Sequence, residues 1–459
     1  MKIIFYNPSY PEPVIRRYRC SYHAGENLYP VIELLTLAAV ARDQGHDVSY
    51  VDCIAEKLNP VEGVNKILDQ SPDIVISLAG LECFNHDLKE LVGIKERVTG
   101  VKVGMVGYYP TLFPEKTIEN GIDFVLLEEG EAGLKALLDG KWELPGIVSS
   151  KGNSGIVPKI TSDEYNKLPI PAFDLIQPGL YREVGLGSPL VCVQFTHGCP
   201  FQCNYCVRTY GEKVVRKKVS NVLEELQTIH KMGVPYFRIL DDTFNLNRKW
   251  VIDICKGMVD LKLNFKWSAL SRVDTLDEEV LGYMRKAGCK RIFVGIESGS
   301  QRILDFYRKG YKVEEIVEYV QMIRKAGMVS VGFFMVGAPS EKWKDVKKSI
   351  DIAKRCKLDY VIVSQLSIYP GISLADEMSD VFDVDTWDGT NCYKDESRNQ
   401  EVLSWIKNFY KAFYFSPTGV KTGLRNLIKE PIVTCRELAG MLRFIFSGNC
   451  NKTDGNVHL

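Results

Sequence analysis

Short apolar runs alternate with amphipathic stretches over the first third of the chain. The apolar runs predict strands, which would lie at residues 2–6, 47–51, 74–78, 101–106 and 124–127. Between the first two, residues 31–44 carry apolar side chains at helical spacing, and Gly45 marks the end of that helix. Strands separated by helices in this way are typical of a parallel sheet with helices on both faces.

This alternation predicts a Rossmann-like, doubly wound α/β domain over residues 1–145. Residues 146–188 are rich in Gly, Ser and Pro, which predicts a linker rather than a core element. The alternation then resumes, and it predicts six further strands at residues 190–196, 236–240, 264–270, 291–296, 330–336 and 359–366. Six strand–helix units predict a partial (β/α)6 barrel over residues 189–376, with reactive residues at the carboxyl ends of its strands.

The last stretch, residues 377–459, changes character and is predicted to be mainly helical. It contains the aromatic, basic run WIKNFYKAFYF, followed by KTGLRNLIK. An aromatic core helix is the favoured interpretation of this region. A cover over an active site and a helix resting on a membrane surface are the alternatives.

Charge and composition narrow the function further. Lys plus Arg equals Asp plus Glu, at 58 each, so the chain lacks the basic excess that a nucleic-acid partner usually requires. The start, MKIIFYNPSY, does not resemble a secretory signal, and no apolar run is long enough to span a membrane. These features predict a cytoplasmic protein, in which the 13 irregularly spaced cysteines would be reduced thiols, some of them metal ligands.

The segment FTHGCPFQCNYCVRTYG, which follows the first predicted barrel strand, carries the most specific chemistry. Cys199, Cys203 and Cys206 have the spacing C-x-x-x-C-x-x-C. Three thiolates leave one iron of a four-iron cluster without a protein ligand. An open iron can chelate S-adenosylmethionine (SAM), and an electron from the cluster then yields a 5′-deoxyadenosyl radical. The alternatives are chance spacing and a zinc site completed by His197 or Cys192.

Tyr205 stands just before the third cysteine, where an aromatic ring can lie beside adenine; simple packing is the alternative. With this residue, the segment resembles the C-x-x-x-C-x-aromatic-C signature of the radical SAM superfamily. Residues 1–375 resemble, in order, the branch of that superfamily with an N-terminal cobalamin-binding domain. The resemblance implies a [4Fe–4S] cluster on the three cysteines, SAM, and an external electron donor such as flavodoxin or ferredoxin.

Two strand-end segments resemble elements of this branch that bind SAM. In FRILDDTFN, Asp241 or Asp242 would accept a hydrogen bond from the SAM ammonium group, and helix N-capping is the alternative role. In WSALSRVDTLDEE, Arg272 is a candidate partner for the SAM carboxylate. A structural ion pair with Asp274 is the alternative there.

A third segment, VGIESGSQ, matches the branch's Gly-Ile-Glu-Ser-Gly motif closely. Glu297 would accept hydrogen bonds from the ribose hydroxyls of SAM. Gly295 and Gly299 would let the backbone approach the cofactor.

The N-terminal domain departs from its relatives at one loop. VGMVGYYPTLFPE resembles the branch's Gly-Gly-x-His-x-Thr segment, but it has Gly107, Tyr108, Tyr109 and Pro110 where Gly-Gly-x-His is usual. A tyrosine in place of glycine would crowd a corrin ring, and the Asp-x-His-x-x-Gly motif is absent. Because the domain is retained, cobalamin binding is favoured, with Gly107 and Tyr109 as contacts and no histidine on cobalt. A domain that keeps the fold and binds no cobalamin is the alternative.

The resemblance implies cobalamin-dependent methyl transfer to an unactivated carbon of a small-molecule or lipid-like substrate. A cobalamin-free dehydration, epimerisation or cyclisation is the first alternative. A non-catalytic metal-binding protein conflicts with the ordered match of the SAM-binding segments. A tRNA methylthiotransferase would need a second cysteine set, for which Cys20, Cys53 and Cys83 are the formal candidates. Cys53, however, ends a predicted strand, the C-terminal stretch does not resemble a barrel-like RNA-binding module, and the chain has no net charge. Nucleic acid is therefore not an expected partner, and contact with a membrane surface is not favoured.

Overall fold

The protein is described by a computed structural model that covers residues 1–18, 21–23, 26–150, 152–153, 159–208, 210–382 and 393–446. The chain divides into two compact units. The first unit comprises Met1–Arg182, Ser188–Cys199 and Arg208–Asn221. The second unit comprises Glu183–Gly187, Pro200–Val207 and Val222–Leu459.

The described strands of the first unit are β1 (Lys2–Asn7), β2 (Val14–Arg16), β3 (Ser21–His23), β4 (Asp47–Asp52), β5 (Ile74–Leu78), β6 (Lys102–Val106), β7 (Phe124–Leu126), β8 (Ile147–Ser149), β9 (Gly152–Asn153), β10 (Leu190–Val193), β11 (Thr196–His197) and β12 (Val215–Arg216). The described helices of the first unit are α1 (Ile32–Asp43), α2 (Cys53–Glu56), α3 (Pro60–Leu68), α4 (Phe84–Arg97), α5 (Tyr108–Leu112), α6 (Pro114–Glu119), α7 (Glu131–Leu138) and α8 (Ser162–Tyr165).

The main sheet of the first unit has the strand order β4-β1-β5-β6-β7-β8-β9. The pairs from β4 to β7 are parallel, and β1 runs in register with β4 from Lys2 opposite Asp47 to Asn7 opposite Asp52. The apolar residues of β1 have no exposed surface, as is typical of a parallel strand covered on both faces. The predicted doubly wound α/β domain is confirmed.

Part of the segment predicted as a linker belongs to this sheet. Strand β8 pairs antiparallel with β7, with Val148 opposite Val125, and Ile147 is fully buried. A run of three residues is too short to show a strand period, so the Gly-, Ser- and Pro-rich surroundings dominated the prediction.

The described strands of the second unit are β13 (Tyr236–Ile239), β14 (Lys266–Arg272), β15 (Cys289–Glu297), β16 (Val329–Val336) and β17 (Tyr360–Gln365). Helix α9 (Val219–Lys231) leads into this unit, and its other described helices are α10 (Arg248–Asp260), α11 (Glu278–Lys286), α12 (Gln301–Phe306), α13 (Val313–Lys325), α14 (Trp343–Cys356), α15 (Ser373–Met378), α16 (Glu396–Tyr414), α17 (Pro417–Lys429) and α18 (Pro431–Phe446).

Strands β13 to β17 pair in parallel in their chain order, and helices connect them. The strand–helix repeat predicted for this half of the chain and its helical C-terminal region are confirmed. The first strand predicted there is shorter than expected, because β10 ends at Val193 and residues 196–197 form β11, which pairs antiparallel with β12.

The aromatic run before the C-terminus is a core helix, as favoured. In α16, the rings of Phe409, Tyr410 and Phe413 are buried, and the Val363 backbone N–H donates a hydrogen bond to the Tyr410 hydroxyl (3.0 Å). None of the helices that the structure describes combines the length and the apolar composition needed to span a bilayer.

Candidate functional site

The carboxyl ends of the parallel strands in the second unit carry three of the predicted SAM-binding positions. Arg272 is the last residue of β14, Glu297 is the last residue of β15, and Asp241 follows β13 by two residues. Because parallel strands end at the same edge of a sheet, these positions share one edge.

Glu297 has an unusual backbone conformation. Its φ angle is 62°, in the left-handed region that side-chain-bearing residues seldom adopt, and the strand register shifts between Gly295 and Glu297. The Tyr311 hydroxyl holds this turn, because its single proton can be donated to the carbonyl oxygen of either Gly295 (3.1 Å) or Ile296 (3.0 Å). Such strain costs about 1–3 kcal/mol and persists only where neighbouring contacts enforce it, which is common at ligand sites.

A buried lysine joins Glu297 to the cysteine loop. Lys309 Nζ donates to Glu297 Oε1 and to the Tyr205 hydroxyl, each at 3.2 Å, and Tyr205 donates to the same Oε1 (3.1 Å). The Lys309 and Glu297 side chains are only 6% and 12% exposed. Burial lowers the pKa of Lys309, but Tyr311 and Glu297 outweigh this, so its pKa is raised overall and the ammonium stays charged.

Sequence reasoning missed Lys309. It stands in the turn YRKGY after α12, where a lysine resembles an ordinary solvated residue. The flanking Arg308 and Gly310 both have positive φ angles, so the backbone bends sharply at this point. Adjacent Lys and Gly were the only signal, and they indicate a turn rather than a buried cation.

Tyr205 makes more than a packing contact, because its hydroxyl bonds to Glu297 and Lys309. Its ring also meets the Tyr307 ring edge-on, with 5.1 Å between the centroids. Burial and the neighbouring Glu297 carboxylate raise the pKa of Tyr205 well above its usual range, so it remains a hydrogen-bond donor. A role beside adenine stays a prediction.

Arg272 contacts the cysteine loop directly. Its Nη1 donates to Cys203 Sγ (3.4 Å), and its guanidinium lies 3.8 Å from the centroid of the Phe201 ring. The ion pair with Asp274, which the sequence left as an alternative, is also formed, with Nε–Oδ1 at 2.6 Å and Nη2–Oδ2 at 3.3 Å. The bidentate edge of Arg272 is thus occupied by Asp274.

Cys199, Cys203 and Cys206 are not joined in disulfides, and all three are of intermediate exposure. In the second unit, the Cys206 backbone N–H donates to the Cys203 carbonyl (3.3 Å), and in the first unit the Cys199 backbone N–H donates to the Gly211 carbonyl (3.1 Å). Among the described residues, no three His, Cys, Asp or Glu side chains are arranged to hold a metal ion. Three soft thiolates without a nitrogen ligand suit iron–sulfur chemistry.

The proposed fourth ligands of a zinc site have other surroundings. Cys192 is fully buried within β10. The His197 ring stacks on Tyr210 with 4.0 Å between centroids and lies 4.4 Å from the Tyr165 ring. Both residues belong to the core of the first unit, so the zinc alternative gains no support from them.

Asp241 is 1% exposed, whereas Asp242 is partly exposed. Helix N-capping by Thr243, one of the two capping roles that the segment offered, is wrong. Thr243 makes no capping hydrogen bond with its side chain, and α10 is capped by Asn247, whose Oδ1 accepts from the Trp250 N–H (2.9 Å). Ligation of SAM by either aspartate stays a prediction.

Gly299 serves packing between protein segments. A Cβ atom at this position would lie 2.4 Å from the Lys348 carbonyl oxygen in α14. The glycine therefore permits the strand-end turn to approach that helix.

In the first unit, the loop after β6 also needs its glycine. Gly107 has a φ of 130°, and a Cβ atom there would lie 2.4 Å from the Ala79 carbonyl oxygen. The Tyr109 ring is buried, with its centroid 4.0 Å from that of Phe84 and 4.9 Å from that of Phe113. Tyr108 is only partly buried, so its ring is more accessible than that of Tyr109.

The thiols of the methylthiotransferase alternative resemble structural cysteines. Cys53 and Cys83 are buried, and burial raises the pKa of Cys53 to about 12. A thiol that stays protonated is a poor metal ligand. Cys20 lies outside the described residues.

Known proteins match this arrangement over most of the chain. Residues 193–353 match the radical SAM superfamily, and residues 24–138 match the B12 binding domain. An uncharacterised methyltransferase of Pyrococcus horikoshii is 32% identical over 360 residues, which cover 75% of this chain and 77% of the relative. The anaerobic magnesium-protoporphyrin IX monomethyl ester cyclase of Cereibacter sphaeroides is 25% identical over 445 residues, which cover 90% of this chain and 70% of that relative.

A solved structure shares the fold. The structure of the cobalamin-dependent S-adenosylmethionine radical enzyme OxsB, with aqua-cobalamin and S-adenosylmethionine bound, matches with a TM-score of 0.70 at 16% identity. The match covers 98% of this chain and 74% of the OxsB chain. Together with the two matched domains and the 32% identical relative, this shows that the chain belongs to the radical SAM superfamily, in the branch that carries an N-terminal B12-binding domain.

Proposed function

We propose that this chain is a cobalamin-dependent radical SAM methyltransferase that acts on an unactivated carbon of a small-molecule or lipid-like substrate. The observation that carries the proposal is the pairing of a B12-binding domain with a radical SAM domain in one chain. The name of the 32% identical relative, a methyltransferase, supports methyl transfer. An electron donor such as flavodoxin or ferredoxin would reduce the cluster.

Cys199, Cys203 and Cys206 would hold the [4Fe–4S] cluster. When bound, the cluster supplies the electron that cleaves SAM, and cobalamin supplies the methyl group. Arg272, which donates to Cys203 Sγ, would place a positive charge beside that sulfur when it ligates the cluster.

Glu297 would bind the ribose of SAM at the end of β15. Its Oε1 already accepts from Tyr205 and pairs with Lys309, so these two residues orient the carboxylate. Asp241 or Asp242 would accept from the SAM ammonium group, at the end of the neighbouring strand. The carboxylate of SAM would need donors besides the Nε and Nη2 of Arg272, which are engaged by Asp274.

Replacing Glu297 by glutamine is expected to weaken SAM binding by about 1–3 kcal/mol, the scale for losing charge-assisted hydrogen bonds. This equals roughly a 5- to 150-fold rise in Kd. Equilibrium binding of SAM to the anaerobically reconstituted protein measures the change, and the iron content should not alter. The exposed Glu314 on α13 supplies the matched control, Glu314→Gln. Equal SAM affinity in the two variants would reassign Glu297 to a structural role.

In the first unit, the backbone at Gly107 and the side chain of Tyr108 would contact the corrin, while Tyr109 would support the loop from its buried position. No histidine would coordinate cobalt from this loop. Since Tyr108 stands where the branch usually has glycine, it would narrow the space for the corrin without closing the site.

Titration of the purified protein with hydroxocobalamin is expected to leave about one cobalt per chain after desalting, the stoichiometry of a single site. Tyr108→Gly should tighten binding several-fold because it removes the crowding ring, whereas Tyr109→Phe, which keeps the buried packing, should not. Cobalt content and the corrin absorption band give the readout. A protein that retains no cobalt but still cleaves SAM would instead perform a cobalamin-free radical reaction, as the similarity to a cyclase would then suggest.

A further inference from the structure

Exposed large apolar side chains are concentrated near the C-terminus. Among the described residues there are thirteen such side chains, and seven of them fall within residues 415–442. Six of these form what we call the apolar face: Phe415, Val420, Leu424, Leu427, Ile428 and Ile432. Ile428 is 85% exposed and Leu424 is 59% exposed. Large apolar side chains exposed close together on a helix commonly mark an interaction site.

Helix α17 buries polar residues and exposes apolar ones, which is the reverse of an ordinary surface helix. Its polar residues Thr422 and Asn426, four positions apart, are buried, and Asn426 Nδ2 donates to the Asp359 carbonyl (3.3 Å). Arg425 forms an ion pair with the side chain of Asp359. These contacts anchor the polar side of α17 to the protein, and they leave the opposite, apolar side in solvent.

The segment that carries the apolar face has an excess of basic residues. Residues 407–446 contain seven Lys and Arg residues and two Glu residues, although the whole chain has no net charge. Lys411, Lys421, Arg436 and Arg443 are exposed there. Two copies of this surface would repel each other, whereas an anionic surface would attract it.

We propose that the apolar face binds the interface of an anionic lipid bilayer, with the side chains of α17 among the acyl chains and the flanking cations at the headgroups. Apolar side chains on one side of a helix, with Lys and Arg beside them, are typical of helices that lie in the plane of a membrane surface. The proposal concerns the C-terminal helices alone and does not depend on methyl transfer.

Co-sedimentation of the full-length protein with vesicles tests this. Vesicles of equal parts phosphatidylglycerol and phosphatidylcholine should bind the protein at least about tenfold more tightly than phosphatidylcholine vesicles, and high salt should weaken the binding. The double variant Leu424→Glu/Ile428→Glu should lose at least about tenfold of the affinity for the anionic vesicles. The matched control is Val61→Glu/Val259→Glu, which changes two exposed apolar residues elsewhere and should bind normally.

The double variant and its control change exposed side chains, so their melting temperatures should equal that of the parent. The variant Lys421→Glu offers a second test, because it keeps every apolar residue. It should weaken binding to anionic vesicles only. Equal binding of the parent and the double variant would overturn the proposal. Absence of vesicle binding would overturn it too, and in that case a parent dimer that the double variant dissociates would identify the apolar face as a self-association surface.

Discussion

Replacing Cys203 by alanine is expected to abolish assembly of the four-iron cluster and, with it, cleavage of SAM. The other two cysteines would leave two irons without protein ligands, and a cluster with two open irons is not held at neutral pH by two thiolates alone. Cys199→Ala and Cys206→Ala should behave in the same way. Iron and sulfide content after anaerobic reconstitution measures the effect, and SAM cleavage is followed as 5′-deoxyadenosine.

The chain provides a matched control for this test. Cys435 is an exposed free thiol outside the loop, so Cys435→Ala should retain four irons per chain and full SAM cleavage. If one of the three loop variants also retained four irons, its cysteine would not be a ligand, and the cluster assignment would have to be abandoned for that residue.

The variant Arg272→Met tests whether a residue that contacts a cluster ligand is itself needed for cluster assembly. This variant keeps all three thiols but removes the donor to Cys203 Sγ. It should therefore still assemble a cluster, unlike the cysteine variants.

The positions of the strands could be predicted from the sequence because burial imposes their pattern directly. Strand β5 is buried along its whole length and β1 is buried after Lys2, so their apolar runs stand out between amphipathic helices. Strand β8 could not be found in this way, because three residues form no recognisable period. Helix α17 shows a second limit. Residues 377–459 were predicted to be mainly helical, but the sequence did not show which side of this helix faces the protein.

The candidate site was predictable only where its residues stand within a motif at a strand end. Glu297 and Arg272 were found in this way, but the motif left the partner of Arg272 open between SAM and Asp274. The Asp274 contact depends on side-chain geometry within the loop, which spacing does not determine. Lys309 lies twelve residues beyond Glu297, and its contact depends on how the turn after α12 returns to the strand end. The spacing of apolar and polar residues does not show that a turn folds back to a strand end in this way.

The buried contact between Lys309 and Glu297 leads to the second large effect. Lys309→Met should destabilise the protein by about 3–5 kcal/mol, the range for removing one partner of a buried ion pair, because the Glu297 carboxylate would lose its counter-charge. The same variant should weaken SAM binding at least about tenfold, since Glu297 would no longer be held in place. Chemical denaturation and equilibrium SAM binding measure the two effects separately.

The double variant Lys309→Met/Glu297→Gln decides whether Lys309 acts through Glu297. With both charges removed, no uncompensated carboxylate remains, so most of the lost unfolding free energy should return. SAM binding should not return, because the carboxylate that would bind ribose is gone. Lys309→Arg should restore SAM binding only in part, since a planar guanidinium cannot reproduce both 3.2 Å contacts of the ammonium group. A double variant as unstable as Lys309→Met would show that Lys309 stabilises the fold independently of Glu297, and SAM affinity equal to the parent in Lys309→Met would remove it from the binding site.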